Sequence, residues 1–228
     1  MADSNPNKYF FKLPETPRPE PIRLMEERVP GYQWYDQHRA TTRIYHPING
    51  VEAVVIHATS GFATQHALDA WHSASASAHW IVPDEDEPQH GQFVWSVVSE
   101  SLAAWHVLNS VSNPDLGNKQ KTNHWSLGIE IVNSQEVQDY RDQFSDWQVK
   151  ATAQIVRYCW AKYPNLKYVV SHAKLDPSRR DDPGKNFPWA DFKSLVLSDV
   201  NDPPRNPLRH NILPASAFPA VPIGGCCQ

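Results

Sequence analysis

The chain has no long lysine or arginine run, and its formal net charge is −4, so nothing in it favours electrostatic capture of nucleic acid. It has no apolar stretch near the ~20 residues that a membrane-spanning helix needs. Its first residues, Met1-Ala2-Asp3-Ser4-Asn5-Pro6, hold neither a basic nor an apolar block, so no cleavable secretory signal is expected. Cysteine is scarce: Cys159, and the adjacent pair Cys226-Cys227. An odd count with two neighbours side by side makes a poor disulfide framework and fits synthesis in a reducing cytoplasm. Internal repeats are absent.

What is present is a chain of 228 residues, enough for one well-buried core. Its apolar fraction of 40% is lean, and the leanness is local. Twelve of the 20 prolines fall in residues 1–31 and 200–228. Such segments bury little and run as extended or wrapped arms. The expected organisation is therefore a proline-rich arm over 1–32, a compact domain over 33–198 and a proline-rich tail over 199–228. Tryptophan is abundant, at nine residues. Those rings serve core packing or a stacking groove for sugar or peptide.

Apolar runs at 51–57, 78–82, 93–98, 127–132 and 167–172 predict strands. Helical spacing predicts a helix over 64–75 behind a Thr64 cap. A second, with Asp146 as cap and Pro164 just past its end, carries Trp147, Ala151, Ile155, Tyr158 and Cys159 on one face. A short helix is expected over 189–197, and loops over 109–124 and 173–186. Strands alternating with helices in this order imply a mixed α/β fold, a central mixed sheet flanked by helices.

Two predicted strands end in histidine, His57 and His172, where loops open a pocket. Asp182 follows His172 by ten residues, in Arg179-Arg180-Asp181-Asp182-Pro183-Gly184. Two imidazoles and a carboxylate are a zinc ligand set that leaves a fourth position open. Spacing does not decide this, because a strand-end histidine is more often a hydrogen-bonded structural residue, and Asp181 could stand in for Asp182. Alternation along 127–132 puts Leu127, Ile129 and Ile131 on one face and Gly128, Glu130 and Val132 on the other. A carboxylate among apolar neighbours is costly unless paired or used, so Glu130 is either a general base or a residue on a solvated face. A second metal cluster of His66, His72 and His79 is rejected, since the six-residue spacing of the first two places them on different helix faces.

Four segments occur in one order: Val54-Val55-Ile56-His57-Ala58-Thr59; Ser77-Ala78-His79-Trp80-Ile81-Val82; Ala104-Trp105-His106 followed by Ser126-Leu127-Gly128-Ile129-Glu130; and Val170-Ser171-His172 with Asp182-Pro183-Gly184. In these the chain resembles, over roughly 50–197, the zinc N-acetylmuramoyl-L-alanine amidases of the type-2 family, whose fold is shared with peptidoglycan-recognition proteins. The resemblance implies hydrolysis of the amide between the lactyl group of N-acetylmuramic acid and L-alanine, in peptidoglycan or muropeptides. It implies one Zn2+ per chain, held by His57, His172 and Asp182, with Glu130 as general base. Arg180 stands where the family commonly has lysine. Its fixed charge can hold an oxyanion but cannot trade a proton. His79, Trp80, Trp105 and His106 are expected along the substrate groove.

Recognition folds that have lost a metal ligand bind the wall without cutting it. Here all three positions are filled, which favours an enzyme, and a monomer is expected. Three biological routes stay open: recycling of cytosolic anhydromuropeptides, a phage lysin, or a delivered antibacterial toxin with an immunity protein in the producing cell. The proline-rich arms favour the lytic or delivered routes.

Overall fold

A computed structural model describes residues 5, 8–24, 26–87, 93–135 and 142–198. The tail over 199–228, with Cys226 and Cys227, lies outside them. The strands are β1 (Phe10–Lys12), β2 (Glu26–Arg28), β3 (Ala40–Thr42), β4 (Ala53–Ala58), β5 (Trp80–Val82), β6 (Val94–Ser96), β7 (Leu102–Ala104), β8 (Ser126–Ile131) and β9 (Tyr168–Ser171). The α-helices are α1 (Tyr32–His38), α2 (Thr64–Ser73), α3 (Asp146–Lys162), α4 (His172–Leu175) and α5 (Trp189–Leu197). The expected loop over 109–124 contains two 3-10 turns, Pro114–Leu116 and Thr122–His124.

Seven strands form one sheet in the order β1-β9-β4-β8-β5-β6-β2, and β3 pairs with β7 in a second. The centre, β9-β4-β8-β5, is parallel, while β1 on β9 and β5 on β6 are antiparallel. The sheet is thus mixed, with helices against it, as the element order implied. The central strands are buried on both faces, which explains their continuous apolar runs. Val54, Ile56, Leu127, Ile129, Ile131 and Trp80 pack with Val149, Ile155 and Trp160 of α3 and with Phe192 of α5. Ala53, Val55 and Val170 pack the other face with Val107, Trp125 and Leu175.

The segment expected as an N-terminal arm contributes both edge strands: β1 pairs β9 at one edge and β2 pairs β6 at the other. Between them, Arg18 donates to the carbonyls of Trp160, Tyr163 (2.9 Å) and Pro164 (2.5 Å). The Trp160 oxygen belongs to the last turn of α3, where no intrahelical partner is available, and Tyr163 and Pro164 follow just past the helix end.

Two caps differ from expectation. Ser145, not Asp146, caps α3, in a reciprocal capping box with Gln148. Thr64 makes no cap of its own. Instead the buried Glu87 carboxylate accepts from the Thr64 N–H at 2.8 Å and its hydroxyl at 3.3 Å. A carboxylate at a helix N-terminus satisfies an open N–H and suits the helix dipole. Among the described residues, no helix is long and apolar enough to cross a membrane.

Candidate metal centre

Strand register assembles the site. His57 lies beside Glu130 across the parallel β4–β8 pair, and Ile56 pairs with Ser171, so His172 emerges next to His57. The chain then turns through α4. The Ala173 N–H donates to the Asp182 carbonyl at 2.9 Å, which returns Asp182 to the end of β9. Gly184, at φ +84°, closes the next turn by donating to the Asp181 carbonyl at 2.8 Å. Asp182 is buried and Asp181 is exposed, which places the former in the cluster.

Three ligand-type atoms converge. His57 Nδ1 and His172 Nδ1 are 3.0 Å apart, and Asp182 Oδ2 lies 3.2 Å from the first and 3.1 Å from the second. Ligand atoms on a tetrahedral zinc, with bonds of about 2.0–2.1 Å, sit about 3.3 Å apart. The near-equilateral triangle and its neutral-nitrogen-plus-carboxylate chemistry both fit such an ion. Among the described residues this is the one group of three or more such side chains able to hold a metal.

Burial lowers the His57 imidazole to about 4; neighbouring His172 adds to this, and Asp182 opposes it. Burial works to raise the Asp182 carboxyl, but the two adjacent rings outweigh it and hold it well below its ordinary range. Glu130 goes the other way. Burial and the nearby Asp182 charge push it up to about 8, against the pull of Arg180. Its Oε2 is buried and has no hydrogen-bond partner among the described residues. A carboxylate oxygen left unpaired beside a triangle of ligand atoms carries a desolvation penalty, and groups perturbed in this way cluster at functional sites.

The remaining expected site residues separate. Trp105, His106, Leu108, Asn109, His172 and Arg180 line a cavity of about 280 Å³. His106 also touches the cluster directly, its Nδ1 3.0 Å from His57 Nε2. A larger cavity, about 490 Å³, lies against α3 and α5 and is lined by none of these side chains. His79 is fully buried beneath the site. Its Nδ1 accepts from the Gly128 N–H at 3.0 Å, and its Nε2 lies 3.1 Å from the Leu102 carbonyl and 3.0 Å from buried Arg43. The structure does not bring Trp80 to the cluster. Trp80 registers with Ile129, and Ile81 with Glu130, so alternation sends the Trp80 indole to the α3 face. There it meets the Tyr158 ring and donates to Glu26 at 2.5 Å.

Sequence reasoning missed Asn123. Its Oδ1 accepts from the N–H groups of His106 and Val107 at 3.2 and 2.9 Å, and its amide donates to the Val107 carbonyl at 2.7 Å. A single asparagine in a polar loop carries no signal for that role.

Two imidazoles at the carboxyl ends of adjacent parallel strands, an aspartate returned beside them and a glutamate on the next strand define the class: a mixed α/β protein with a His-His-Asp cluster that could hold a metal ion. The sequence model of the N-acetylmuramoyl-L-alanine amidases matches residues 47–185, and the chain belongs to that family. It is 31% identical over 166 residues to N-acetylmuramoyl-L-alanine amidase AmiD of Escherichia coli K12, covering 70% of this chain and 56% of AmiD. It is also 31% identical over 121 residues to 1,6-anhydro-N-acetylmuramyl-L-alanine amidase AmpD of Salmonella typhimurium LT2, covering 53% of this chain and 57% of AmpD. The chain thus spans little more than half the length of these curated relatives. Among solved structures, AmpDh3 from Pseudomonas aeruginosa superposes with a TM-score of 0.56 at 27% identity, over 68% of this chain and 62% of that one. AmiD from E. coli, in complex with anhydro-N-acetylmuramic acid-L-Ala-D-γ-Glu-L-Lys, does so with a TM-score of 0.55 at 27% identity, over 64% and 57%.

Proposed function

We propose that the protein is a zinc-dependent N-acetylmuramoyl-L-alanine amidase that hydrolyses the lactyl–alanine amide of peptidoglycan or its fragments. The observation that carries this is the 3.0–3.2 Å triangle of His57, His172 and Asp182 with unpaired Glu130 beside it. One zinc ion would be held by those three side chains and would supply Lewis acidity that polarises the lactyl carbonyl and acidifies water.

Glu130 in its ionised form, which a cation bound beside it would favour over the metal-free value of about 8, takes the proton of the attacking water on its free Oε2 and passes it to the departing alanine amine. The carbonyl carbon gains the hydroxyl oxygen, and the C–N bond breaks. Arg180, exposed on the cavity wall, faces the negative charge that develops on the carbonyl oxygen. Trp105, half-buried on the same wall, offers a ring for the sugar or peptide.

The proline-rich segments outside the matched residues favour a lytic or delivered enzyme, which in the second case has an immunity protein. A second role, recycling of anhydromuropeptides, draws support from AmpD, named for a 1,6-anhydro substrate, and from AmiD, solved with an anhydro ligand. Mass spectrometry of products from muropeptides, anhydromuropeptides and intact sacculi tests both the chemistry and the role. Release of free stem peptide that stops on chelation and returns with zinc supports the amidase. Binding to sacculi without cleavage would reduce the protein to a recognition module.

A further inference from the structure

The proposed chemistry leaves a chain of polar groups behind His57 without a task. His57 Nε2 lies 3.0 Å from His106 Nδ1, and His106 Nε2 lies 3.1 Å from Ser126 Oγ. Ser126 Oγ in turn donates to the Thr122 carbonyl at 2.7 Å. The direction of this chain is fixed at its far end. A carbonyl only accepts, so the single Ser126 hydroxyl proton is committed to Thr122. Ser126 Oγ must then accept from His106 Nε2–H. A neutral imidazole has one N–H, so His106 Nδ1 carries a lone pair and accepts from His57 Nε2–H. The His57 lone pair is thereby left on Nδ1, the atom in the triangle with His172 and Asp182. The other tautomer would present an N–H there and could not ligate.

The ring of His106 is held in this place. A Cβ on Gly128 would lie 2.7 Å from His106 Cγ and 2.9 Å from its Nδ1. The imidazole therefore lies against bare strand backbone, two residues before Glu130 on the same face. That backbone is pinned by His79, through the Gly128 N–H to Nδ1 and the His79 N–H to the Gly128 carbonyl, both at 3.0 Å. The backbone of His106 itself is held by Asn123.

We infer that His106 and Ser126 are positioning residues that lock His57 in the Nε2–H tautomer, so that its Nδ1 faces the metal. Neither needs to touch substrate for this. The inference rests on the metal-site reading of His57, His172 and Asp182. It differs from a packing role for His106 in depending on hydrogen-bonding atoms rather than ring volume.

The test uses the full-length chain, with zinc affinity measured by competition against a chromophoric chelator. His106→Leu should bind zinc 10–100-fold more weakly, the usual effect of losing a partner that orients a ligand. Ser126→Ala, which leaves the ring in place, should weaken it several-fold. His106→Asn keeps an acceptor near the Nδ1 position and should recover most of the affinity. Long-range nitrogen–proton NMR on the metal-free wild type should show His57 protonated on Nε2; this readout needs no variant to fold. Wild-type affinity in both His106→Leu and Ser126→Ala, or a His57 proton on Nδ1, would overturn the inference. A wild type that takes up no zinc would instead remove the metal site on which it rests.

Discussion

His57 and Glu130 are direct Cα partners in the parallel pairing of β4 with β8. One register therefore fixes a candidate ligand and the candidate base together. The base needs no loop to position it, and its carboxylate is placed on the strand at the cost of leaving Oε2 buried and unpaired.

Glu130→Gln should separate function from stability. Turnover should fall ~10²–10⁴-fold, the usual contribution of a general base. The same change should stabilise the metal-free protein. Its folded pKa, about 8, stands above the ordinary 4.5, so folding is favoured by the protonated group and penalised once pH rises toward 8. The amide carries no such penalty. Thermal unfolding should show a gain of about 1–3 kcal/mol at pH 8 and little at pH 4.5. Near-normal turnover would remove Glu130 from the chemistry, and equal gains at both pH values would show that its charge is not strained.

The buried histidines set the acid response of the metal-free chain. Burial, with His172, lowers His57 to about 4, and burial, with Arg43, holds His79 well below 6.5, although the Leu102 carbonyl opposes the latter. Both folded pKa values lie below the unfolded one. The unfolded chain thus binds more protons in this window, and stability falls as pH drops below about 6.5, continuing to about 4 for His57. The loss can reach about 1.4 kcal/mol per pH unit for each group. The Glu130→Gln background is the right one, because Glu130 opposes this trend as pH falls from 8 to 4.5. A melting temperature that is flat from pH 7 to 4.5 would contradict the assignment of these rings as buried and neutral.

Much of this arrangement was legible in the sequence, for a physical reason. Strands buried on both faces read as unbroken apolar runs, so β4, β8 and β9 stood out, and with them the histidines at two of their ends. Alternation along β8 was enough to set Glu130 apart from Ile129 and Ile131. Asp182 was different: only the family resemblance, not its spacing, chose it over Asp181. The edge strands β1 and β2 were illegible because three residues amid prolines have no pattern of their own; open sheet edges impose the conformation. Glu87 as the cap of α2 was equally hidden, since it comes from 23 residues downstream. His106 could be placed in the pocket from its motif, but its partner His57 is fixed by tertiary packing alone.

The two tryptophans expected in the groove should behave oppositely. Trp105 lines the cavity, so Trp105→Ala should raise KM on muropeptides several-fold with kcat less affected, as for a lost binding contact. Trp80 packs on the far face and donates to Glu26. Trp80→Phe should leave KM unchanged and cost about 1–3 kcal/mol, because the Glu26 carboxylate loses its indole donor. Steady-state kinetics with parallel thermal melts would decide it; a KM effect from Trp80→Phe would place its indole in the substrate path.

Arg180 carries the last distinction. It lies within electrostatic reach of both Glu130 and His57, and lines the cavity wall with His172. If its role is to meet charge on the carbonyl oxygen, Arg180→Ala should lower kcat by ~10²–10³-fold, as loss of one oxyanion donor does, with little change in KM. Arg180→Lys should restore most of that rate, since an ammonium also meets the charge. A cation that only steers an anionic peptide into the cavity would give the converse, a raised KM at constant kcat that salt reproduces in the wild type. Varying ionic strength alongside the two substitutions separates the alternatives, because a direct contact at short range is screened far less than long-range attraction.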